Sequence, residues 1–143
     1  MIELGRSSGL FEDEQVQALA DIIRRHFAGQ SERQEIWVGA FDGREAHGLA
    51  YGASEMMTDR VWNLLFVAVR PDQRGSGIGN TLIEAVEERL RRLDTRMVIV
   101  ETTNGADFVA ARGLYTKHGY EQEGTVRDFY AQGQDKITFR KLL

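Results

Sequence analysis

A chain of 143 residues, 42% apolar and 28% charged, has the length of one domain and enough apolar material for a core. Its net charge of −4, with no long basic block, excludes nucleic acid as a main partner, and the lack of cysteine excludes disulfides, thiol catalysis and cysteine-built zinc sites. No apolar run approaches the ~20 residues that span a bilayer, and "MIELGRSSGLFEDEQ" lacks the basic start and apolar block of a secretion signal, so a cytoplasmic protein with no membrane partner is expected.

"MIEL" is a short first strand at most. Residues 12–28 predict a helix, because Val16, Leu19, Ala20, Ile23 and Phe27 recur at helical spacing. After the break at "GQSERQ", "IWVGAF" (36–41) and "AHGLAYGAS" (46–54) read as strands joined by "DGRE", whose Asp-Gly pair favours a hairpin. "VWNLLFVAV" (61–69) is apolar on both faces over 64–69, the mark of a central strand. A helix over about 77–93 follows, with Ile78, Leu82, Ala85, Val86, Leu90 and Leu93 on one side. Its "EERLRR" run is expected to be a solvated face laced with i,i+3 and i,i+4 pairs. "RMVIVET" (96–102) reads as a buried strand, which completes a βαβ unit with parallel strands. "DFVAARGLYTKHG" (107–119) is a second helix closed by Gly119. The end is a hairpin with a strand over 120–127, the loop "DFYAQGQD" and the strand "KITFRKL". The fold class is therefore α/β: one domain, 1–143, with a mixed central sheet flanked by helices.

"PDQRGSGIGNTL" links the central strand to the helix. It contains no Walker A string, and a dinucleotide fingerprint fails because Asn80 stands where its third glycine belongs. The unit also sits mid-chain, after a meander, and not at the head of a dinucleotide fold. What remains is R-x-x-G-x-G, made by Arg74, Gly77 and Gly79 and preceded by Gln73. Small residues entering a helix N-terminus leave amides that can hold an anion. A plain flexible connector is the alternative.

"VAVRPDQRGSGIGNTLIEAVEERL" closely resembles the acyl-CoA-binding segment of the GNAT superfamily of N-acyltransferases. "AARGLYTKHGYE" (110–121) resembles that family's A-x-x-L-Y-x-x-x-G-[FY] signature through Ala111, Leu114, Tyr115, Gly119 and Tyr120. The two segments stand in the family's order with a strand between them, and the resemblance covers nearly the whole chain. It implies an N-acetyltransferase that uses acetyl-CoA and no metal, moving acetyl directly to an amine-bearing small molecule or peptide in a ternary complex. A non-catalytic acyl-CoA sensor of the same fold is the alternative. The resemblance further implies that the backbone of Phe66, Val67 and Val69 pairs with the pantetheine arm, where the sheet splays between strands 61–69 and 96–102. It implies that the amides of Gln73, Arg74, Gly75, Ser76, Gly77, Ile78 and Gly79, with Asn80, hold the pyrophosphate. Tyr115 would protonate the leaving thiolate as general acid. Where the family often carries an Asn before the motif alanine, this chain has Phe108, and Asn104 is the candidate one turn earlier. A homodimer through the last hairpin follows by the same analogy.

Acetylating an amine whose pKa is about 10.4 requires a proton acceptor. Glu101, at the end of its strand, is the candidate base. A strand amide near Val67 is the candidate oxyanion donor. Glu55 and Asp59 in "SEMMTDR" are expected at the substrate entrance, and Asp128, Phe129 and Tyr130 in the last hairpin loop are further site candidates. Met56, Met57 and Trp62 are read either as an apolar wall around the acceptor or as core. The scattered His26, His47 and His118 do not make a metal set.

Overall fold

The computed structural model describes residues 13–143, so the strand expected at "MIEL" lies outside the described residues. In chain order the elements are α1 (Asp13–Phe27), β1 (Glu35–Asp42), β2 (Glu45–Ser54), β3 (Val61–Val69), α2 (Ile78–Arg92), β4 (Met97–Thr103), α3 (Val109–Lys117), β5 (Glu121–Ala131) and β6 (Gln134–Leu142). Short 3-10 turns at Pro71–Gln73 and Ala106–Phe108 lead into α2 and α3. The strands form one mixed sheet in the order β1-β2-β3-β4-β6-β5. β3 and β4 run parallel, joined through α2, and the other neighbouring pairs are antiparallel.

The apolar stripe of α2 makes the main core. Leu82, Ile83, Val86 and Leu90 are buried against Ile36, Ala50, Leu64 and Val98 of the sheet. Each such side chain contributes about 1.5–3 kcal/mol by leaving water. Trp62 belongs to this core at 4% exposure, while Met56 and Met57 stand exposed on the loop before β3. Trp62 is therefore a core residue, and the two methionines do not share its packing. Phe27 and Leu93, expected on buried stripes, end their helices in solvent. The N-terminal turn of α2 rests directly on the β2 backbone. A Cβ at Gly48 would come within 2.7 Å of Ile78 Cγ2 and 2.9 Å of Leu82 Cδ1. That contact fixes the height of the loop ahead of α2.

α1 ends on the opposite face of the sheet, where the His26 ring lies 6.0 Å from Trp37. Trp37 stacks on Tyr51 at 4.2 Å, and Phe66 follows at 5.7 Å from Tyr51. Beneath them Glu35 accepts hydrogen bonds from Ser31 Oγ (2.7 Å) and Tyr51 Oη (2.8 Å) and contacts His26 Nδ1 at 2.8 Å. Burial pushes the Glu35 carboxyl up, but these bonds and the His26 charge outweigh it and hold the carboxyl below its usual 4.5. The stability it contributes is thus present above that range and is lost as pH falls through the lowered value. Glu35→Ala will cost about 1–3 kcal/mol at neutral pH in a denaturant melt. The gap to wild type will narrow below pH ~4, where the wild-type carboxylate is protonated.

A bulge in β3 shapes the rest. Tyr51 pairs with Phe66 and Gly52 with Leu64, so Leu65 has no partner on β2. Pairing with β4 runs from Val61 to Leu64 and stops there. Bulges bend a strand and end its ladder. The expected splay between β3 and β4 is therefore present, and beyond it Val67 and Val69 pack towards the α2 core.

The last hairpin corrects the sequence expectation. β5 continues to Ala131 and β6 starts at Gln134, so "DFYAQGQD" is mostly strand and the turn is two residues long. Asp128 takes a positive φ of 54° in a bulged stretch, its carboxylate accepts the Gly133 N–H, and its own N–H donates to Asp135 Oδ1. A polar, glycine-bearing composition looked like loop, yet these local bonds close it into the sheet. No helix among the described residues is long and apolar enough to cross a membrane.

Candidate active site

The glycine loop and the splay open into one cleft of about 590 Å³. Val67 and Val69 form its β3 wall, Gln73, Arg74, Gly75 and Gly77 to Asn80 its floor, and Phe108, Ala111, Leu114 and Tyr115 its α3 wall. Gly75 and Gly77 have φ of 78° and 93°, which favour glycine, and a Cβ on either would meet no protein atom within 4 Å. The space beside them is open to a ligand. Gly77 caps α2 with no side-chain hydrogen bond, and the first helical bond is Thr81 N–H to Gly77 O at 3.2 Å. The amides of Ile78, Gly79 and Asn80 thus find no protein acceptor among the described residues. Ser76 folds its hydroxyl back onto Gln73 O (2.6 Å), which leaves the backbone as the donor there. Gly79 permits the close approach of α3, since a Cβ would stand 3.3 Å from Leu114.

Tyr115 is held by its helix. α3 ends in a Schellman turn, with Tyr120 N–H bonded to Tyr115 O and Gly119 N–H to Thr116 O, both at 3.0 Å. Gly119 takes the left-handed φ of 79° that this ending needs. The Tyr115 ring packs 6.0 Å from Tyr120 and 5.9 Å from Phe139. Burial pushes its phenol up to about 12. The hydroxyl is therefore protonated at neutral pH and remains a donor in the cleft.

The sequence model of the acetyltransferase (GNAT) domain family matches residues 32–122, more than half of the chain. The chain belongs to the GNAT acetyltransferase family. The GNAT fold is also what solved structures show. A protein assigned to the GNAT family from Desulfovibrio desulfuricans superposes with a TM-score of 0.93 at 24% identity, over 99% of this chain and 89% of that one. The ribosomal-protein-S18-alanine N-acetyltransferase of Escherichia coli gives a TM-score of 0.70 at 19% identity, over 92% and 90%. An aminoglycoside 6'-N-acetyltransferase complexed with coenzyme A gives 0.71 at 17% identity, over 92% and 81%. No curated protein sequence matches the chain.

Within this GNAT frame the candidate residues divide. Val67, Val69, Gln73, Arg74, Gly75, Gly77, Ile78, Gly79, Asn80 and Tyr115 line the one cleft, and Phe66 turns its ring to the opposite face. Asn104 does not line it. Its Nδ2 donates to Gly133 O (3.2 Å) and its Oδ1 accepts Asp135 N–H (3.1 Å), so its amide ties β4 to the last hairpin. Phe108, which replaces the family's Asn, does line the cleft. Glu55 sits beside the start of β3 and accepts a bond from buried Asn63 Nδ2 (3.1 Å), away from the glycine loop. Asp128 is committed to its turn bonds.

Glu101 follows Val100, the last β4 residue paired with β3, and alternates with core residue Val100 to face the α1 side. It pairs with Lys136 at 3.0 Å, and Lys136 Nζ lies 4.2 Å over the Phe129 ring. Burial first, then the Glu101 charge, pushes the Tyr130 phenol up, which places Tyr130 in the same group. Sequence reasoning missed His118, whose Nε2 stands 3.0 Å from Asn80 Oδ1, and no local signal marks that contact. Among the described residues no cluster of His, Asp or Glu could hold a metal.

Proposed function

We propose that the protein is an N-acetyltransferase that moves the acetyl group of acetyl-CoA to a primary amine of a small molecule or peptide in a ternary complex. One observation carries this: a neutral tyrosine hydroxyl, an open strand edge and an uncapped helix N-terminus share a single cleft. The residues fit a CoA donor. The free amides from Ile78 to Asn80 and the α2 dipole suit a pyrophosphate, and the Cβ-free Gly75 and Gly77 let it approach, with Gln73, Arg74 and Asn80 around it. The β3 edge beyond Leu64 suits the amides of a pantetheine arm, which would add as a strand. When bound, acetyl-CoA supplies a thioester-activated acetyl group and a thiolate leaving group.

Tyr115 Oη holds the proton that this leaving group needs. A β3 amide near Val67 polarises the carbonyl. Glu101, on the opposite face, receives the acceptor's ammonium group and takes its proton, and Phe129 and Tyr130 flank that approach. Bringing donor and acceptor to the gap from two faces supplies proximity and orientation. The proposal extends to one catalytic domain over 1–143, acting in the cytoplasm as a homodimer.

Acetyl-CoA at about 100 times its Kd will raise Tm by roughly 5–10 °C in a thermal-shift assay. A panel of amines with acetyl-CoA will then release free thiol in the presence of at least one acceptor. No shift with CoA or acetyl-CoA at millimolar concentration removes the proposal. A shift with no turnover on any amine leaves only a binding module.

A further inference from the structure

We infer that His118 is a positioning residue for the anion site, an inference that rests on the proposed CoA reading of the cleft. His118 caps the C-terminal end of α3 and does not line the cleft. Its Nε2 stands 3.0 Å from Asn80 Oδ1, and Asn80 lines the cleft in the first turn of α2. A carbonyl oxygen only accepts, so Nε2 carries the hydrogen and donates it. The Asn80 NH₂ is then directed away from His118, as a donor for the cleft. With the amide reversed, Asn80 would present a lone pair to an anion, so an anion site selects the orientation that a donating His118 stabilises.

His118 is itself held by α2 at a second point. Its backbone oxygen accepts from Lys141 Nζ at 2.6 Å. Lys141 reaches both carboxylate oxygens of Glu87 at 2.7 Å, and Glu87 also takes Arg91 at 3.0 Å. Asn80 and Glu87 are seven residues apart, so they share one stripe of α2. The end of the helix that carries Tyr115 is thereby pinned at two heights to the helix that carries the anion loop. His118 aligns the pyrophosphate side of the cleft with its acid side.

The test is a double-substitution cycle read by isothermal titration with CoA alone, which needs no acceptor. His118→Ala will weaken CoA binding by about 5–10-fold, the order of one oriented hydrogen bond. Asn80→Ala will weaken it by a similar factor, and the double variant will bind no more weakly than Asn80→Ala. His118→Gln, which keeps a donor at that reach, will stay within about twofold of wild type. Melting temperatures establish that each variant is folded. A purely structural role for His118 would weaken binding equally in the Asn80→Ala background, and that result overturns the inference. So does a His118→Ala protein that binds CoA as wild type does. Failure of the wild-type protein to bind CoA would instead remove the proposed function beneath it.

Discussion

Tyr115→Phe will lower turnover by about 10²-fold while the CoA Kd stays within about twofold. The substitution removes one oxygen and leaves the ring, which packs against Tyr120 and Phe139. Stability and cleft shape are therefore retained, and only the proposed proton donor is gone. The raised phenol adds a pH signature. A group pushed up to about 12 stays protonated across the ordinary working range. Tyr115 will therefore set no alkaline fall in the rate below pH ~11, and a rise at lower pH reports ionisation of the base or of the acceptor's amine. Steady-state rates of both proteins over pH, beside a CoA titration, check this. Equal turnover in the Phe variant would move the acid role to another group or to water.

The second large effect is on stability. Glu87→Ala will destabilise the fold by about 3 kcal/mol in a denaturant melt. Glu87 is only 4% exposed, in the middle of an amphipathic helix, and is tolerated there because Lys141 and Arg91 reach it. Without it, Lys141 keeps an ammonium group at the interface with, among the described residues, the His118 carbonyl oxygen and the Tyr120 ring beside it. The loss sits at the low end for a broken buried pair, because the Lys141 side chain is 21% exposed. Replacing both partners, Glu87→Leu with Lys141→Met, will recover most of it, since neither charge is then desolvated. A double variant no more stable than Glu87→Ala would place the cost in lost helix packing.

Glu87 also shows what the sequence could not display. "EERLRR" does contain the expected i,i+4 pairs, Glu87–Arg91 and Glu88–Arg92. Only the second lies on a solvated face. Glu87 is buried because β6 brings Lys141 from 54 residues away. The elements that were legible are local ones: the βαβ unit, the glycine entry to α2 and the Gly119 stop are written in neighbouring residues. The same holds for the glycine loop, whose shape depends on local backbone conformation more than on distant partners. For Asn104 and Asp128 the residue type was legible but its partners were not. Each has a polar side chain near the expected site, but each satisfies backbone groups of the last hairpin. Trp62 looked equally suited to core and pocket, and only packing on α2 decides between them. A splay between β3 and β4 was expected from the family resemblance, while its start after Leu64 and the unmatched Leu65 emerged only from the strand register.

That unmatched residue makes the cleft depend on arithmetic. Alternation sends every second side chain of β3 to one face, and Leu65 resets the alternation halfway along the strand. Excising Leu65 would leave Phe66, Val67 and Val69 on their present faces, but it would remove the bend and let the ladder with β4 run on into the gap. The chemical identity of the residues from 65 to 69 is thus open to exchange, whereas their number is not. Variation among descendants of this chain is accordingly expected as replacements along β3, with gains and losses of residues confined to the surrounding turns.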